Sequence, residues 1–134
     1  MKQVVYVASP ESQQIHVYAL NTEGEMDLLQ VVEVAGQVQP MIASADGKYL
    51  YVGIRPHFSV VTFAIAVDGQ LEQKAITSIP STPVHLCLDK TGRFLFVPSY
   101  HQGNLAVLPI NEMGVPQSSI QIIEGLNKPH SSNI

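Results

Sequence analysis

The sequence predicts an all-β protein, a β-propeller with about three four-stranded blades, and three observations carry this prediction. Sequence features recur every 45 residues, as the steps from Gly24 to Gly69 and from Gly69 to Gly114 illustrate. Each repeat contains short strand candidates separated by turn residues. No segment of more than about ten residues has the 3.6-residue periodicity of a helix. With 134 residues, the chain is long enough to form a domain with its own core.

The 45-residue period also appears in a recurrent strand motif. An aromatic residue followed by valine occurs three times at this interval, as Tyr6-Val7, Tyr51-Val52 and Phe96-Val97. The segment 46–52 reads again, with conservative changes, as 91–97. Self-similarity at a fixed period of this length is typical of propellers and other repeat folds. We therefore divide the chain into repeats of about 1–45, 46–90 and 91–134, which together form one partial propeller.

The second repeat shows the strand candidates most clearly. They are Met41–Ser44, Tyr49–Ile54, Ser59–Val67 and Leu71–Ile79. Asp68-Gly69 lies between the last two and is a strong hairpin signal, because glycine supplies the positive φ that a tight turn needs. Four antiparallel strands in this length are typical of a propeller blade. A solenoid of β-strands is the alternative, and the hairpin turns favour blades.

Three repeats are too few for a closed ring, which needs roughly 4–8 blades. By the phase of the repeat, the chain begins after the position of a first strand, and residues 131–134 match the first strand of a further blade. We therefore expect the chain to be the N-terminal portion of a longer protein, with the missing first strand supplied from the far C-terminus. A three-blade arc exposes a blade face at each end, which predicts self-association if the chain folds alone.

Composition excludes several classes of protein. The chain is 46% apolar and 13% charged, with 7 basic and 11 acidic residues and a net charge of −4. A disordered chain needs low hydrophobicity and high net charge, and a nucleic-acid partner needs a basic patch that is absent here. No apolar run reaches the length of a membrane span. The single cysteine, Cys87, predicts a buried thiol in a cytoplasmic protein rather than a disulfide framework.

The recurrent strands resemble those of the lactonase family of seven-bladed β-propellers. The opening segment 5–17 (VYVASPESQQIHV) is similar to that of the propeller-type bacterial 6-phosphogluconolactonases, and so are the segments 36–41, 49–56 and 122–126. The resemblance runs in register over the whole chain and covers about the first two-fifths of such an enzyme. It implies a seven-bladed ring of which this chain holds about three blades.

The resemblance also implies an activity. Enzymes of this family hydrolyse 6-phospho-D-glucono-1,5-lactone to 6-phosphogluconate in the pentose phosphate pathway, without a metal or an organic cofactor. The family carries a histidine at the proposed active site in a segment that His130 matches. Its further active-site groups, an arginine and a glutamate, are expected in later blades. The chain alone is therefore expected to be inactive.

Three residues are the candidates for the site. His130 follows Lys128-Pro129 and is expected to open an innermost strand that faces the central channel, where a neutral imidazole can act as a base. The alternative is a solvated tail residue. His85, one repeat earlier, is a candidate substrate-binding residue, although a repeated residue is first of all structural. Arg55 beside Pro56 could bind the substrate phosphate, whereas a surface arginine on a loop is the commoner case.

Other chemistries have little support in the sequence. The five histidines have no zinc-ligand spacing, and there is no Gly-x-Ser-x-Gly elbow and no glycine-rich phosphate loop. The alternative to an enzyme is a non-catalytic propeller that binds a ligand or a protein, because fold does not fix function.

Overall fold

Strands occupy the stretches rich in β-branched and aromatic residues, because these side chains pack well on a pleated surface. The computed structural model describes residues 3–134, and this range contains eleven strands and no helix. The strands are β1 (Gln3–Ser9), β2 (Gln14–Leu20), β3 (Met26–Glu33), β4 (Gln37–Ala43), β5 (Tyr49–Arg55), β6 (Ser59–Ile65), β7 (Leu71–Ser78), β8 (Cys87–Leu88), β9 (Phe94–Ser99), β10 (Asn104–Pro109) and β11 (Gln121–Ile123). They form three antiparallel sheets, β1-β2-β3, β4-β5-β6-β7 and β8-β9-β10-β11, which we call blades 1, 2 and 3. The predicted all-β, bladed fold is confirmed.

Blade 1 has three strands within the described range, whereas blades 2 and 3 have four. β1 pairs with β2 from Gln3 opposite Leu20 to Ser9 opposite Gln14. In blades 2 and 3 the equivalent strands, β5 and β9, also pair with a preceding strand on their other side. No strand in residues 3–134 pairs with that other edge of β1. This agrees with the phase of the repeat.

The first strand of blade 2 is longer than the sequence predicted. β4 starts at Gln37, not at Met41, and its pairing with β5 shifts register between Val38 and Met41. Pro40 lies in this shift, and a proline has no N–H to donate to the ladder. The strands of blade 2 therefore span 37–78, so the proposed repeat boundary at residue 45 falls in the turn between the first two strands.

Two apolar clusters form the core, one between each pair of successive blades. The first lies between blades 1 and 2 and includes Ile15, Val17, Leu50, Val52 and Phe63. The second lies between blades 2 and 3 and includes Tyr51, Val60, Leu95, Val97 and Leu108. Cys87 is buried as a free thiol, as predicted. Because alternate residues of a strand point to opposite faces, β5 contributes to both clusters.

A turn of blade 2 docks on β1 of blade 1, and the equivalent turn of blade 3 docks on β5 of blade 2. The Tyr6 hydroxyl donates a hydrogen bond to the Gly69 carbonyl at 2.7 Å, and the Tyr51 hydroxyl donates to the Gly114 carbonyl at 2.8 Å. Both glycines have positive φ and are buried. We call the turns 21–24, 66–69 and 111–114 the docking turns, and β1, β5 and β9 the receiving strands.

The outer strands add a second link between blades. Gln30 of β3 donates to the Leu71 carbonyl at 3.1 Å and accepts from the Leu71 N–H at 2.7 Å. One blade later, Thr77 of β7 donates to the Pro116 carbonyl at 2.7 Å. Leu71 and Pro116 are 45 residues apart, so the same backbone position is used twice.

Candidate active site

Four of the five histidines lie at one end of the three blades. Antiparallel strands alternate in direction, so every second connection lies at the same end of the blades. This end holds the connections 10–13, 56–58 and 100–103, the links 34–36 and 79–86, and the segment 124–134. This end carries His57, His85, His101 and His130, and we call it the histidine end. All three candidate site residues lie there, since Arg55 is the last residue of β5.

The histidine end is built from the same backbone hydrogen bond in each blade. The carbonyl oxygens of Gln13, Phe58 and Gly103, which are 45 residues apart, accept from the N–H groups of Val34, Ile79 and Leu126 at 2.9, 3.1 and 2.9 Å. Each bond ties the loop between the second and third strands to the segment that leads into the next blade. These bonds hold the loops that carry the histidines and Arg55.

Arg55 lies beside the first residue of β4, the first strand of its blade. It is the register partner of Gln37, and its Nε donates to Gln37 Oε1 at 3.1 Å. Among the described residues this is the one side-chain hydrogen bond of Arg55, and the two terminal nitrogens of its exposed guanidinium have no partner. Paired terminal N–H groups suit the oxygens of a phosphate.

His85 contacts the segment that contains His130. The Ser132 N–H donates to His85 Nδ1 at 3.3 Å. A ring nitrogen that accepts a hydrogen bond carries no proton, so this contact requires the His85 tautomer with its proton on Nε2. Nε2–H of this half-buried ring is then a donor. The structure thus brings together two of the three predicted site regions, those of His85 and His130.

His130 is exposed and lies on no strand. The expectation that it opens an innermost strand is wrong for this structure. No strand among residues 3–134 pairs with the segment 124–134, so the backbone of this segment forms no β-ladder there. The ring instead lies edge-on to Tyr100, with centroids 6.0 Å apart and planes at 82°.

Tyr100 gathers three side chains that can carry positive charge. The His101 ring is also edge-on to it, at 5.3 Å, and Lys128 Nζ lies 5.9 Å from its ring centroid. The backbone of Lys128 has φ 53°, in the left-handed region that lysine rarely adopts, and such strain is concentrated at functional sites. We call Tyr100, His101, Lys128 and His130 the Tyr100 cluster.

Sequence reasoning missed most of this cluster. Of its four residues, only His130 is a candidate from the sequence. Ser132 is not a candidate from the sequence either, yet its Oγ is buried without a hydrogen-bond partner in the described part of the chain. A signal for this cluster is present in the sequence. Lys128-Pro129-His130 and Tyr100-His101 place cationic side chains and an aromatic ring on two loops of the histidine end, where they can interact.

A cavity of about 260 Å³ opens at the opposite end, between blades 2 and 3. Two of its polar side chains, those of Asp46 and Asn111, are already used by their own turns. Asp46 accepts from Ser44 Oγ at 2.6 Å and from the Lys48 N–H at 3.1 Å. Asn111 Oδ1 accepts from the N–H groups of two residues of its turn at 2.9 Å each. We interpret this cavity as a structural cleft between blades and place the candidate site at the histidine end.

The described residues contain neither a cluster of metal-ligating side chains nor a membrane-spanning helix. No three histidine, cysteine, aspartate or glutamate side chains of residues 3–134 are placed to hold a metal ion together. The same range contains no helix long and apolar enough to cross a bilayer.

Curated relatives match along the full chain. It is 58% identical to a 6-phosphogluconolactonase of Xenorhabdus nematophila, 56% to one of Photorhabdus laumondii and 51% to one of Erwinia tasmaniensis, in each case over 134 residues. These matches cover 100% of this chain and 41% of each relative. The chain therefore spans about two-fifths of the length of these relatives.

Solved structures share its fold. A periplasmic gluconolactonase of Pseudomonas aeruginosa superposes with a TM-score of 0.84 at 28% identity, over 92% of this chain and 37% of that one. A protein from Lactobacillus plantarum gives a TM-score of 0.84 at 22% identity, over 96% of this chain and 40% of that one. The second likeness concerns the fold alone.

The family described as "Lactonase, 7-bladed beta-propeller" matches residues 4–133. This range includes all three blades and the histidine end, and it agrees with the resemblance seen in the recurrent strands. The chain belongs to the seven-bladed β-propeller lactonase family.

Proposed function

We propose that the whole protein is a 6-phosphogluconolactonase, which adds water to 6-phospho-D-glucono-1,5-lactone and releases 6-phosphogluconate in the pentose phosphate pathway. The observation that carries this proposal is the contact between Ser132 and His85, which brings the His130 segment against a second histidine at the end where Arg55 lies. The name carried by relatives that are 51–58% identical supports it.

The reaction needs a base, an oxyanion donor and a cationic phosphate site. In the proposed mechanism His130 takes a proton from the attacking water as the oxygen adds to the lactone carbonyl. The Nε2–H of His85 donates to the developing oxyanion or to a substrate hydroxyl. The carbonyl then re-forms, the ring C–O bond breaks, and the proton held by His130 passes to the leaving ring oxygen. One water is consumed, and the product is a carboxylic acid with a free hydroxyl.

The phosphate is proposed to bind to Arg55, with Lys128 as a second cation at the same end. Arg55 has both terminal guanidinium nitrogens available, and Lys128 is exposed above the Tyr100 ring. We propose a cytoplasmic location, as expected for a chain whose one cysteine is a buried free thiol. The proposed reaction involves no cofactor.

The test uses the whole protein, with its further blades, in an assay coupled to oxidation of 6-phosphogluconate and corrected for spontaneous hydrolysis. His130→Ala should lower kcat by about 100-fold or more, the usual contribution of a general base. His57→Ala, at an exposed loop histidine of the same end, is the control and should keep kcat within about twofold. An unchanged kcat for His130→Ala removes this residue from the mechanism. A whole protein without lactonase activity overturns the proposal and favours a binding module.

A further inference from the structure

Blade 3 buries polar side chains at the histidine end, on the face that packs against blade 2. Ser99 ends β9 and Asn104 begins β10; they are register partners and are 1% and 6% exposed. Val97 and Ala106, two residues away on each strand, belong to the core between blades 2 and 3, so alternation places Ser99 and Asn104 on the same face. Ser81, on the link from blade 2, is 5% exposed. We call Ser81, Ser99 and Asn104 the Asn104 cluster.

The junction between blades 1 and 2 is less polar at the same place. The residues 45 positions earlier are Gly36, Ile54 and Ser59, and Ile54 belongs to the apolar core of that junction. Burial of a polar group without full compensation costs folding free energy. Asn104 Oδ1 is buried without a hydrogen-bond partner among residues 3–134. Stability alone therefore does not account for an amide at this position.

The Asn104 amide holds the link that carries His85. Its Nδ2 donates to Ser81 Oγ at 2.8 Å, and both side chains are buried. The link 79–86 contains no strand, so no ladder fixes its course from blade 2 to blade 3. Its position therefore depends on a few individual hydrogen bonds.

Two further hydrogen bonds attach the link to blade 3. The Thr82 N–H donates to Gln102 Oε1 at 3.4 Å, and the Val84 N–H donates to the Pro98 carbonyl at 3.2 Å. Gln102 Oε1 also accepts from Ser99 Oγ at 2.5 Å, which joins this attachment to the Asn104 cluster. Both bonds of the link backbone are longer than the buried amide bond. The amide bond is therefore the strongest of the three attachments.

His85 lies between these attachments and the segment 124–134. It directly follows Val84, and its Nδ1 accepts from the Ser132 N–H at 3.3 Å. A hydrogen bond of this length has little margin for a further displacement of the ring. A shift of the link would break the bond, and the ring would then be free to adopt either neutral tautomer.

We propose that Asn104 is a positioning residue for His85 and acts through Ser81 and the link 79–86. This inference rests on the proposed function, in which His85 Nε2–H donates to the developing oxyanion. The amide bond fixes the link, the link fixes the ring, and the bond from Ser132 selects the tautomer whose free donor is Nε2–H. A donor aimed at charge that develops in the transition state raises kcat and leaves KM nearly unchanged.

Kinetics of the whole protein, with its further blades, test the effect on the reaction. Asn104→Leu keeps the approximate size of the side chain and removes the amide, so kcat should fall by about tenfold or more while KM changes by less than about twofold. Ser59→Ala is the matched control, because Ser59 is buried at the same position one blade earlier, next to a link (34–36) that carries no histidine. It should keep kcat within about twofold. An unchanged kcat for Asn104→Leu, or a loss confined to KM, overturns the proposal.

A double variant separates positioning from stability. Asn104→Leu alone leaves the buried Ser81 hydroxyl without its donor, whereas Ser81→Ala combined with Asn104→Leu replaces both partners by apolar groups, which restores much of the folding free energy. We expect the urea midpoint of the double variant to rise above that of Asn104→Leu while kcat stays about tenfold low. A kcat that follows the unfolding midpoint across the single and double variants indicates a merely structural role and overturns the proposal.

Nitrogen NMR of the histidine-labelled whole protein tests the same step without lactonase activity. At about pH 8, above the usual titration of imidazole, His85 should show one tautomer, with Nε2 protonated and Nδ1 not. In Asn104→Leu its two nitrogen shifts should approach each other as the tautomers mix, while those of His57 stay unchanged. Unchanged His85 shifts overturn the proposal. A His85 response in a protein without lactonase activity supports the positioning and overturns the proposed function.

Discussion

The Tyr51 hydroxyl donates a 2.8 Å hydrogen bond to the Gly114 carbonyl, and the two residues are 63 apart in sequence. Tyr6 and Gly69 have the same separation and make the same bond in the preceding blade. Burial raises the pKa of Tyr51 to about 12, with smaller contributions from Tyr49 and Asp46. The hydroxyl therefore stays protonated and remains a donor at any pH at which the protein is used.

Removal of this hydroxyl should loosen blade 3 on blade 2. Tyr51→Phe leaves the buried Gly114 carbonyl without its donor, so the free energy of unfolding should fall by about 1–2 kcal/mol. Tyr49→Phe is the matched control, because Tyr49 is half-buried on the same receiving strand and its ring stacks 6.4 Å from that of Tyr51. Urea unfolding of the two variants measures the difference. Equal losses would show that the bond to Gly114 contributes nothing specific.

Gly69→Ala should destabilise the chain more than Gly47→Ala does. Both glycines have positive φ, so each substitution strains the backbone. Only at Gly69 would the new Cβ lie 2.4 Å from Val4, which forces the docking turn away from blade 1. We expect an additional loss of about 1–3 kcal/mol in the unfolding free energy, the usual effect of overpacking. Equal unfolding midpoints for the two variants would contradict tight docking of this turn.

In acid, the free energy of unfolding should depend on the protonation of Asp89. Burial alone would raise the pKa of this carboxyl, but hydrogen bonds from the Thr91 hydroxyl and from the N–H groups of Phe94, Thr91 and Arg93 outweigh it and lower the pKa to about 2. An aspartate in an unfolded chain has a pKa of about 3.9. The stabilisation of the folded chain by the charged Asp89 carboxylate is therefore complete above about pH 5 and is lost as the pH falls through 4 towards 2.

Thermal unfolding from pH 6 to pH 2 measures this contribution. The midpoint difference between the unmodified chain and Asp89→Asn should be largest at pH 6 and should shrink towards pH 2. Thr91→Val removes the side-chain donor alone and should give part of the effect. A difference that is constant with pH would mean that the charge of Asp89 does not matter.

Arg55→Ala in the whole protein should weaken binding of the phosphorylated substrate. If the free guanidinium nitrogens bind phosphate, KM for the phosphorylated lactone should rise by about tenfold or more, while KM for the unphosphorylated lactone changes little. Arg93→Ala is the control, since Arg93 is exposed at the opposite end of the blades. Equal effects on both lactones would make Arg55 a structural residue that holds Gln37.

The repeat fixes more of this fold than any single strand does. The period predicted the blades, the incomplete blade 1 and the positive φ at Gly24, Gly69 and Gly114, because glycines recur where a turn demands that backbone conformation. The start of β4 was predicted too late, because Pro40 hides the strand in the sequence while a register shift accommodates it in the structure.

The site was less accessible to sequence reasoning, because its residues meet only through the arrangement of loops at one end. His85 and Ser132 are 47 apart, and neither the hydrogen bond between them nor the Tyr100 cluster has a local sequence signature. Arg55 is a candidate because it lies beside Pro56 at the end of a strand candidate, and its role as a phosphate contact stays a prediction.

The single thiol of Cys87 allows local opening of blade 3 to be measured. It is 8% exposed at the start of the short strand β8, and no second cysteine competes for a labelling reagent. Alkylation must therefore wait for a local opening that exposes the thiol, and the labelling rate gives the frequency of that opening under native conditions.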